Sequence, residues 1–240
     1  DSRVSRGLGD VYKRQELASA SKFRTQMLTK IQTGIENREF IPHYQPIVDL
    51  VSGTVCGAEA LARWHSDSGM VSPLDFIPIA EESGMIKAIG QQILLQACRD
   101  TYQAIESKQW PSDFQLHVNI SVNQLSCPSF VDTVISVLDI TKLPASNLTL
   151  EITESRIIDS APTTLENMTK LREMGIGIAI DDFGTGYSSL GYLHSLPFTC
   201  LKIDRTFINQ LTQENLNSSV VAAVINLSLI HISEPTRHTR

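Results

Sequence analysis

No apolar run in this sequence is long enough to span a bilayer, and no secretory signal is recognisable near its first residue. We therefore expect no membrane contact by this segment and a cytoplasmic location, while anchoring through further domains of a longer parent protein remains open. Basic residues are scarce, because 20 lysines and arginines stand against 26 aspartates and glutamates, a formal net charge of −6. A protein that coats a nucleic-acid polymer needs a basic face, so that class is excluded. A small phosphate ligand held through metal ions is compatible with the composition.

Cysteine is also scarce, since the chain has only Cys56, Cys98, Cys127 and Cys200. They are far apart and form no C-x-x-C pair, which disfavours a structural zinc site. The pattern predicts buried free thiols in a reducing cytosol.

Common phosphate-binding and nucleophile motifs are missing as well. The chain has no P-loop lysine and no G-x-S-x-G elbow. The stretch from Gly184 to Ser189 begins like a dinucleotide-binding loop, but Ser189 replaces its third glycine.

Hydrophobic periodicity predicts strands that alternate with helices, which indicates α/β units and a mainly parallel sheet in one domain. Pro42 and Pro46 favour an edge position for the first strand. The predicted strands are Phe40–Val48, Thr54–Leu61, Phe114–Ser121, Leu148–Glu154, Ile176–Asp181 and Phe198–Asp204. The predicted helices lie around Phe23–Ile35, Ile86–Ile105, Val131–Ile140, Leu165–Leu171, Ser188–His194 and Val220–Ile225.

The stretch from Gly175 to Tyr187 carries a short apolar strand that ends on the adjacent carboxylates Asp181 and Asp182. Neighbouring strand residues point to opposite faces. Both carboxylates therefore serve one site only if the strand ends between them and a turn re-aims the second, as Gly184 and Gly186 permit. This stretch alone is equally compatible with a cation site and with an aspartate-rich turn that caps a helix.

Polar residues stand near the C-terminal ends of successive predicted strands, where a β/α barrel places its catalytic groups. These residues are Glu59, Asn119, Glu151, Asp181 with Asp182, and Lys202. Separate buried carboxylates would each need a partner, so we favour one shared site. Carboxylate and amide oxygens suit Mg²⁺ or Mn²⁺, and adjacent aspartates suit a pair of ions.

Three further residues near this site have open interpretations. Lys202 is suited to orienting an attacking water. Arg63 is suited to clamping a phosphate, with a surface salt bridge as its alternative. His65 is predicted to be a surface loop histidine.

Several long motifs in register resemble the EAL-domain family, in order from about Phe23 to about Leu227. They are Tyr44–Val48 (YQPIV), Glu59–Trp64 (EALARW), Phe76–Pro78 (FIP), Val118–Ser121 (VNIS), Glu151–Glu154 (EITE), Asp181–Leu190 (DDFGTGYSSL) and Leu201–Asp204 (LKID). The resemblance implies a TIM-like β/α barrel that hydrolyses cyclic di-GMP to linear pGpG with two Mg²⁺ or Mn²⁺ ions. It also implies a homodimer formed through the loop after Asp182.

The resemblance assigns roles to individual residues. As metal ligands it implies Glu59, Asn119, Glu151, Asp181 and Asp182. As catalytic residues it implies Lys202, which assists the attacking water, together with Asp182 and Glu59. Against the substrate it places Gln45, Leu61 and Arg63.

The two ends of the chain depart from the family pattern. We expect residues 1–15 to be a non-native or disordered flank, residues 16–227 a partial EAL domain, and residues 228–240 a non-native or disordered tail. The last two barrel strands would then be missing, and His238 falls where the family has a metal-ligand glutamate. We therefore expect this 240-residue form to be inactive or nearly so. A non-catalytic cyclic di-GMP sensor is the main alternative function, and an enolase-type metal enzyme is a more distant one.

Overall fold

The computed structural model describes residues 21–154, 162–184 and 196–209. The strands are β1 (Phe40–Val48), β2 (Val55–Ser66), β3 (Gly69–Val71), β4 (Gln115–Asn119), β5 (Leu148–Thr153), β6 (Gly177–Phe183) and β7 (Cys200–Ile203). The helices are α1 (21–36), α2 (Pro73–Ser83), α3 (Ile86–Glu106), α4 (Val122–Leu125), α5 (Phe130–Thr141), α6 (Pro162–Glu173) and α7 (Arg205–Asn209).

The strands form one sheet in the order β1-β2-β4-β5-β6-β7, and β3 is paired to β2. The β1–β2 and β2–β3 pairs are antiparallel, whereas the four pairs from β2–β4 to β6–β7 are parallel. This arrangement confirms the predicted α/β class and the edge position of the proline-bearing strand β1. Within the described residues no pairing joins β1 to β7, so both barrel closure and the absence of two strands stay predictions.

The two faces of the β1–β2 hairpin have different surroundings because side chains alternate along each strand. On one face Phe40 lies opposite Trp64 with ring centroids 5.0 Å apart. Phe76 of α2 packs against these rings at 5.4 and 5.6 Å. Met27 and Ile31 of α1 are buried in the same core. The odd-numbered residues of β2 therefore face the opposite side, where the polar residues lie.

Some predicted boundaries need correction. Strand β2 continues beyond Leu61 to Ser66, so the prediction of a loop at His65 is wrong: His65 is an exposed strand residue paired opposite Met70 of β3. Strand β4 ends at Asn119 because Ser121 forms a capping box with Gln124 and starts α4. The predicted helices Ser188–His194 and Val220–Ile225 lie outside the described residues, as do the N-terminal flank and the C-terminal tail.

The cysteines are free, as predicted, but the prediction that they are buried holds only for Cys98. Cys56 and Cys127 are partly buried, and Cys200 is exposed where it begins the end strand β7. In the described part of the chain, no helix has both the length and the hydropathy that crossing a bilayer requires.

Candidate metal centre

Parallel pairing brings the predicted acidic residues to the same edge of the sheet. In the register of the ladder, Asn119 of β4 lies opposite Glu151 of β5, and Thr153 of β5 lies opposite Asp181 of β6. Glu59 of β2 lies opposite His117 of β4. One carboxylate oxygen from each of Glu59, Glu151 and Asp181 lies within 4.8 Å of the others.

The ammonium group of Lys202 lies among these three carboxylates. Its Nζ donates hydrogen bonds to Glu59 Oε2 at 2.9 Å, to Glu151 Oε2 at 2.6 Å and to Asp181 Oδ2 at 3.2 Å. The side chain of Glu151 is fully buried, while those of Glu59, Asp181 and Lys202 are 17%, 19% and 27% exposed. The sequence prediction that these residues share one site is therefore supported by their positions.

The remaining oxygens of the two glutamates also have partners. His117 Nδ1 lies 2.7 Å from Glu151 Oε1, and Asn119 Nδ2 donates to Glu59 Oε1 at 2.6 Å. These contacts fix the orientation of both carboxylates before any ligand arrives. The bond from Asn119 uses only its amide nitrogen, and a hard cation is bound by amide oxygen.

The pKa shifts follow from this packing. Burial raises the pKa of Glu59, but hydrogen bonds from Lys202 and then Asn119 outweigh it, so the pKa is lowered overall. For Lys202, burial acts to lower the pKa, and the hydrogen bond and negative charge of Glu151 outweigh it, so the pKa is raised. The centre therefore holds a charged ammonium beside the ionised carboxylate of Glu59 at neutral pH.

The backbone at the end of β6 redirects the second aspartate. Strand β6 continues through Phe183, so the prediction that the strand ends between Asp181 and Asp182 is wrong. A register shift between Ile180 and Phe183 and a positive φ of 55° at Asp182 change the direction of the chain instead. Partial desolvation, followed by the charge of Asp181, raises the pKa of Asp182.

The turn after Asp182 is held by contacts that involve Gly184. Its φ is 100°, and a Cβ atom there would lie 2.6 Å from the ring of Phe207, so only glycine fits. The Gly184 amide donates to Oε2 of the buried Glu154 at 2.7 Å. The predicted turn at Gly184 is thus confirmed, whereas Gly186 lies outside the described residues.

The predicted substrate residues share the site face of the β1–β2 hairpin. Gln45 lies opposite Glu59 in the register, and Leu61 and Arg63 follow Glu59 at alternate positions. Nη1 of Arg63 donates to the carbonyl oxygen of Ala62 at 2.9 Å. Within the described ranges no carboxylate forms an ion pair with Arg63, so the salt-bridge interpretation lacks a partner there.

Two site residues were missed by the sequence analysis. His117 shares a strand face with Asn119, and that alternation was the available signal for its contact with Glu151. Glu154 was placed in a strand, but the strand ends at Thr153 and Glu154 supports the Gly184 turn. No sequence pattern indicated that long-range contact.

The residues of this centre fit hard divalent cations. Their donor atoms are carboxylate and amide oxygens, the ligands that Mg²⁺ and Mn²⁺ prefer. Three carboxylates surround one ammonium group, and the charge of Lys202 also acts on the exposed Asp182. The excess of negative charge favours binding of additional positive charge.

Comparisons with known proteins agree on one family. The protein-family model of the EAL domain matches residues 28–230 of this chain. The bifunctional diguanylate cyclase/cyclic di-GMP phosphodiesterase MucR of Pseudomonas aeruginosa is 40% identical over 203 residues, which cover 84% of this chain and 29% of MucR. The probable cyclic di-GMP phosphodiesterase PdeG of Escherichia coli K12 is 37% identical over 199 residues, which cover 82% of this chain and 39% of PdeG.

Among solved structures, the PaMucR phosphodiesterase in complex with c-di-GMP superposes with a TM-score of 0.77 at 39% identity. The match covers 85% of this chain and 83% of that chain. The likeness confirms the predicted EAL-type α/β fold. The chain spans only 29% and 39% of the lengths of MucR and PdeG.

Proposed function

Because this chain belongs to the EAL domain family, we propose that it hydrolyses cyclic di-GMP to linear pGpG in bacterial second-messenger signalling. The relatives named as cyclic di-GMP phosphodiesterases support this substrate class. The observation that carries the proposal is the convergence of Glu59, Glu151 and Asp181 around Lys202. A set of acidic groups on several strand ends is suited to cation-assisted hydrolysis of a phosphodiester.

The cofactor in this proposal is a pair of Mg²⁺ or Mn²⁺ ions. The ligands would be Glu59, Asn119, Glu151 and Asp181, and Asp182 would help to hold the second ion. When bound, these ions supply Lewis acidity and a water of lowered pKa. The charge balance supports this requirement, since carboxylates that outnumber the ammonium group of Lys202 repel an anionic phosphodiester.

The protein's own groups supply positioning and proton control. Glu151 keeps its orientation because His117 holds one oxygen and Lys202 the other. Lys202 keeps its proton because its pKa is raised, so it serves as a fixed donor that orients a water oxygen rather than as a base.

Substrate recognition is assigned to the site face of the β1–β2 hairpin. Arg63 would donate to a phosphate of the dinucleotide, and Gln45 and Leu61 would contact its polar and apolar parts. These residues lie on the same strand face as Glu59. The substrate would therefore lie along the hairpin with its scissile phosphate at the acidic centre.

Product chromatography with cyclic di-GMP tests the proposal. The 240-residue chain and a form extended by a family-like C-terminal third are each assayed with Mn²⁺, with Mg²⁺ and with a chelator. We expect pGpG from the extended form with either metal, none with the chelator, and much less from the shorter form. Substrate binding by the extended form without product would overturn hydrolysis in favour of a sensor. Equal turnover by the two lengths would overturn only the expected impairment.

Two further features are proposed with this function. The loop after Asp182 would contribute to a homodimer, and the described part of that loop is held by the hydrogen bond from the Gly184 amide to Glu154. A cytoplasmic location is proposed because a second messenger acts inside the cell. Sedimentation with and without Mg²⁺ and cyclic di-GMP tests the dimer, and a monomer in both conditions would contradict it.

A further inference from the structure

Two exposed imidazole rings meet on the site face of the β1–β2 hairpin, outside the cluster of Glu59, Glu151 and Asp181. His43 Nε2 lies 3.2 Å from His65 Nε2, and the ring centroids are 5.4 Å apart. Both residues are exposed. Neither takes part in the proposed chemistry, so the contact calls for an explanation of its own.

The strand register shows how the two rings come together. His43 lies opposite Leu61, and the next pair along the same face is Ile41 opposite Arg63. His65 follows Arg63 by two residues on β2, and its amide donates to the carbonyl of Glu39. The rings therefore reach towards each other across the Ile41–Arg63 pair. Two hydrogen-bonded strands hold their backbones.

The distance between the ring nitrogens matches two ligands of one metal ion. With metal–nitrogen bonds of about 2.0–2.1 Å, two imidazoles on a tetrahedral ion have nitrogens about 3.3–3.4 Å apart. Two neighbouring positions of an octahedral ion place them about 2.9 Å apart at the same bond length. The observed 3.2 Å lies between these values. We propose that His43 and His65 form a binding site for a transition-metal ion such as Zn²⁺, with water completing its coordination.

The ligand chemistry separates this site from the acidic centre. Imidazole nitrogen binds Zn²⁺, Cu²⁺ and Ni²⁺, whereas Mg²⁺ and Mn²⁺ prefer oxygen ligands. The acidic centre offers carboxylates from Glu59, Glu151 and Asp181, whereas the hairpin pair offers two nitrogens. The two sites therefore differ in ligand type, and an excess of Mg²⁺ that occupies the acidic centre leaves the histidine pair free for Zn²⁺.

The free energy of the hydrogen bond between His43 and His65 is small, which favours replacing that bond by bonds to a metal ion. A single hydrogen bond between exposed groups contributes little, because water offers equivalent partners. Replacing that bond by two metal–nitrogen bonds changes little in the position of either ring. The hairpin thus holds the two ligands close to their final separation before the ion arrives.

Calorimetry with Zn²⁺ in excess Mg²⁺ tests the site without reference to enzymatic activity. The variants are His43→Gln and His65→Gln, with Ser66→Ala as a neighbouring control on β2 and Asp181→Asn as a control for the acidic centre. We expect each histidine variant to weaken Zn²⁺ binding by about tenfold or more, the scale of a lost metal-site interaction. Both controls should keep the wild-type affinity.

Electron paramagnetic resonance of one equivalent of Cu²⁺ identifies the ligands directly. Coupling to two imidazole nitrogens is expected in the wild type and in Asp181→Asn, and it should be reduced in either histidine variant. Because both side chains are exposed, the variants should fold, and circular dichroism without metal checks this. Unchanged Zn²⁺ affinity and unchanged nitrogen coupling in both histidine variants would overturn the proposal and leave only a hydrogen-bonded pair.

Discussion

The acidic centre and the site face of the β1–β2 hairpin differ in how their side chains are held. In the centre Glu151 is fully buried, and Lys202 binds three carboxylates at once. On the hairpin Gln45 is exposed, and Arg63 is partly buried with a bond to a backbone carbonyl. The side chains proposed for catalysis are thus held by hydrogen bonds to one another, whereas the side chains proposed for substrate recognition keep hydrogen-bonding groups that a ligand can use. Substitutions in the two regions should therefore have different consequences.

Removing the central cation should have the largest effect. Lys202→Met leaves the carboxylates of Glu59, Glu151 and Asp181 without their shared partner. We expect the free energy of unfolding to fall by about 3 kcal/mol in a chelator, the low end for breaking a buried ion pair. Denaturant unfolding measures the loss.

A metal rescue sharpens this test. Millimolar Mg²⁺ should restore part of the stability of Lys202→Met, because a bound cation neutralises the same carboxylates. Lys30→Met, at an exposed position of α1, is the control and should change stability by less than about 0.5 kcal/mol. An equal loss for both variants would contradict the central role of Lys202.

The next largest effect is on turnover. Asp181→Asn removes a negative charge from the centre while the hairpin residues Gln45 and Arg63 are unchanged. We expect kcat in an extended, active form to fall by about 100-fold or more, the scale for losing one group that stabilises transition-state charge. Product chromatography measures the rate, and calorimetry with cyclic di-GMP should show that binding persists. Near-normal turnover would remove Asp181 from the metal centre.

A hairpin substitution should give the opposite pattern. Arg63→Ala removes a guanidinium proposed to contact a phosphate and leaves the acidic centre intact. We expect binding of cyclic di-GMP to weaken by about 1.5–3 kcal/mol, the scale of a hydrogen bond to a charged group. Titration calorimetry measures the change, and the unfolding free energy should stay within about 0.5 kcal/mol of the wild type. Unchanged affinity would place Arg63 outside the substrate site.

Sequence patterns predicted that the acidic residues lie at one edge of the sheet, because that placement follows from local strand patterns. Alternation along β4 identified the face that carries Asn119, and the apolar runs of β5 and β6 indicated where Glu151 and Asp181 lie. Parallel strands place such residues at one edge without further information. The register of the parallel ladder bears this out.

The parts that could not be predicted depend on contacts between distant segments. The left-handed backbone at Asp182 accompanies a register shift against β7, which no local pattern specifies. Glu154 binds the amide of Gly184, which is 30 residues away. Strand β2 reaches Ser66 because β1 and β3 pair with its end. Each of these features is set by tertiary packing rather than by propensity.

The prediction with the smallest expected effect concerns Tyr44, which anchors the β1–β2 hairpin to α3 on the face opposite the site face. Tyr44 lies beside Gln45 in β1 and points to α3, where its hydroxyl donates to Asp100 Oδ2 at 2.7 Å. Burial, followed by the hydrogen bond to Asp100, raises the pKa of Tyr44 well above its usual range. The folded protein therefore keeps a proton that an unfolded tyrosine loses above about pH 10. Since the unfolded state then binds fewer protons, stability falls as pH rises through that range.

Tyr44→Phe removes both this titration and the hydrogen bond. We expect the variant to be less stable by about 1 kcal/mol at pH 8, the scale of one hydrogen bond, and to lose stability less steeply than the wild type between about pH 9 and 11. Urea unfolding at several pH values measures both slopes, and the other tyrosines and lysines contribute equally to each protein. Binding of cyclic di-GMP at pH 8 should change less than in Arg63→Ala, because Tyr44 faces away from the site. Parallel slopes of stability against pH would show that Tyr44 titrates normally and that its bond to Asp100 does not anchor the hairpin. A loss of affinity for cyclic di-GMP as large as that of Arg63→Ala would show that substrate recognition depends on the anchoring of the hairpin as much as on the residues that contact the substrate.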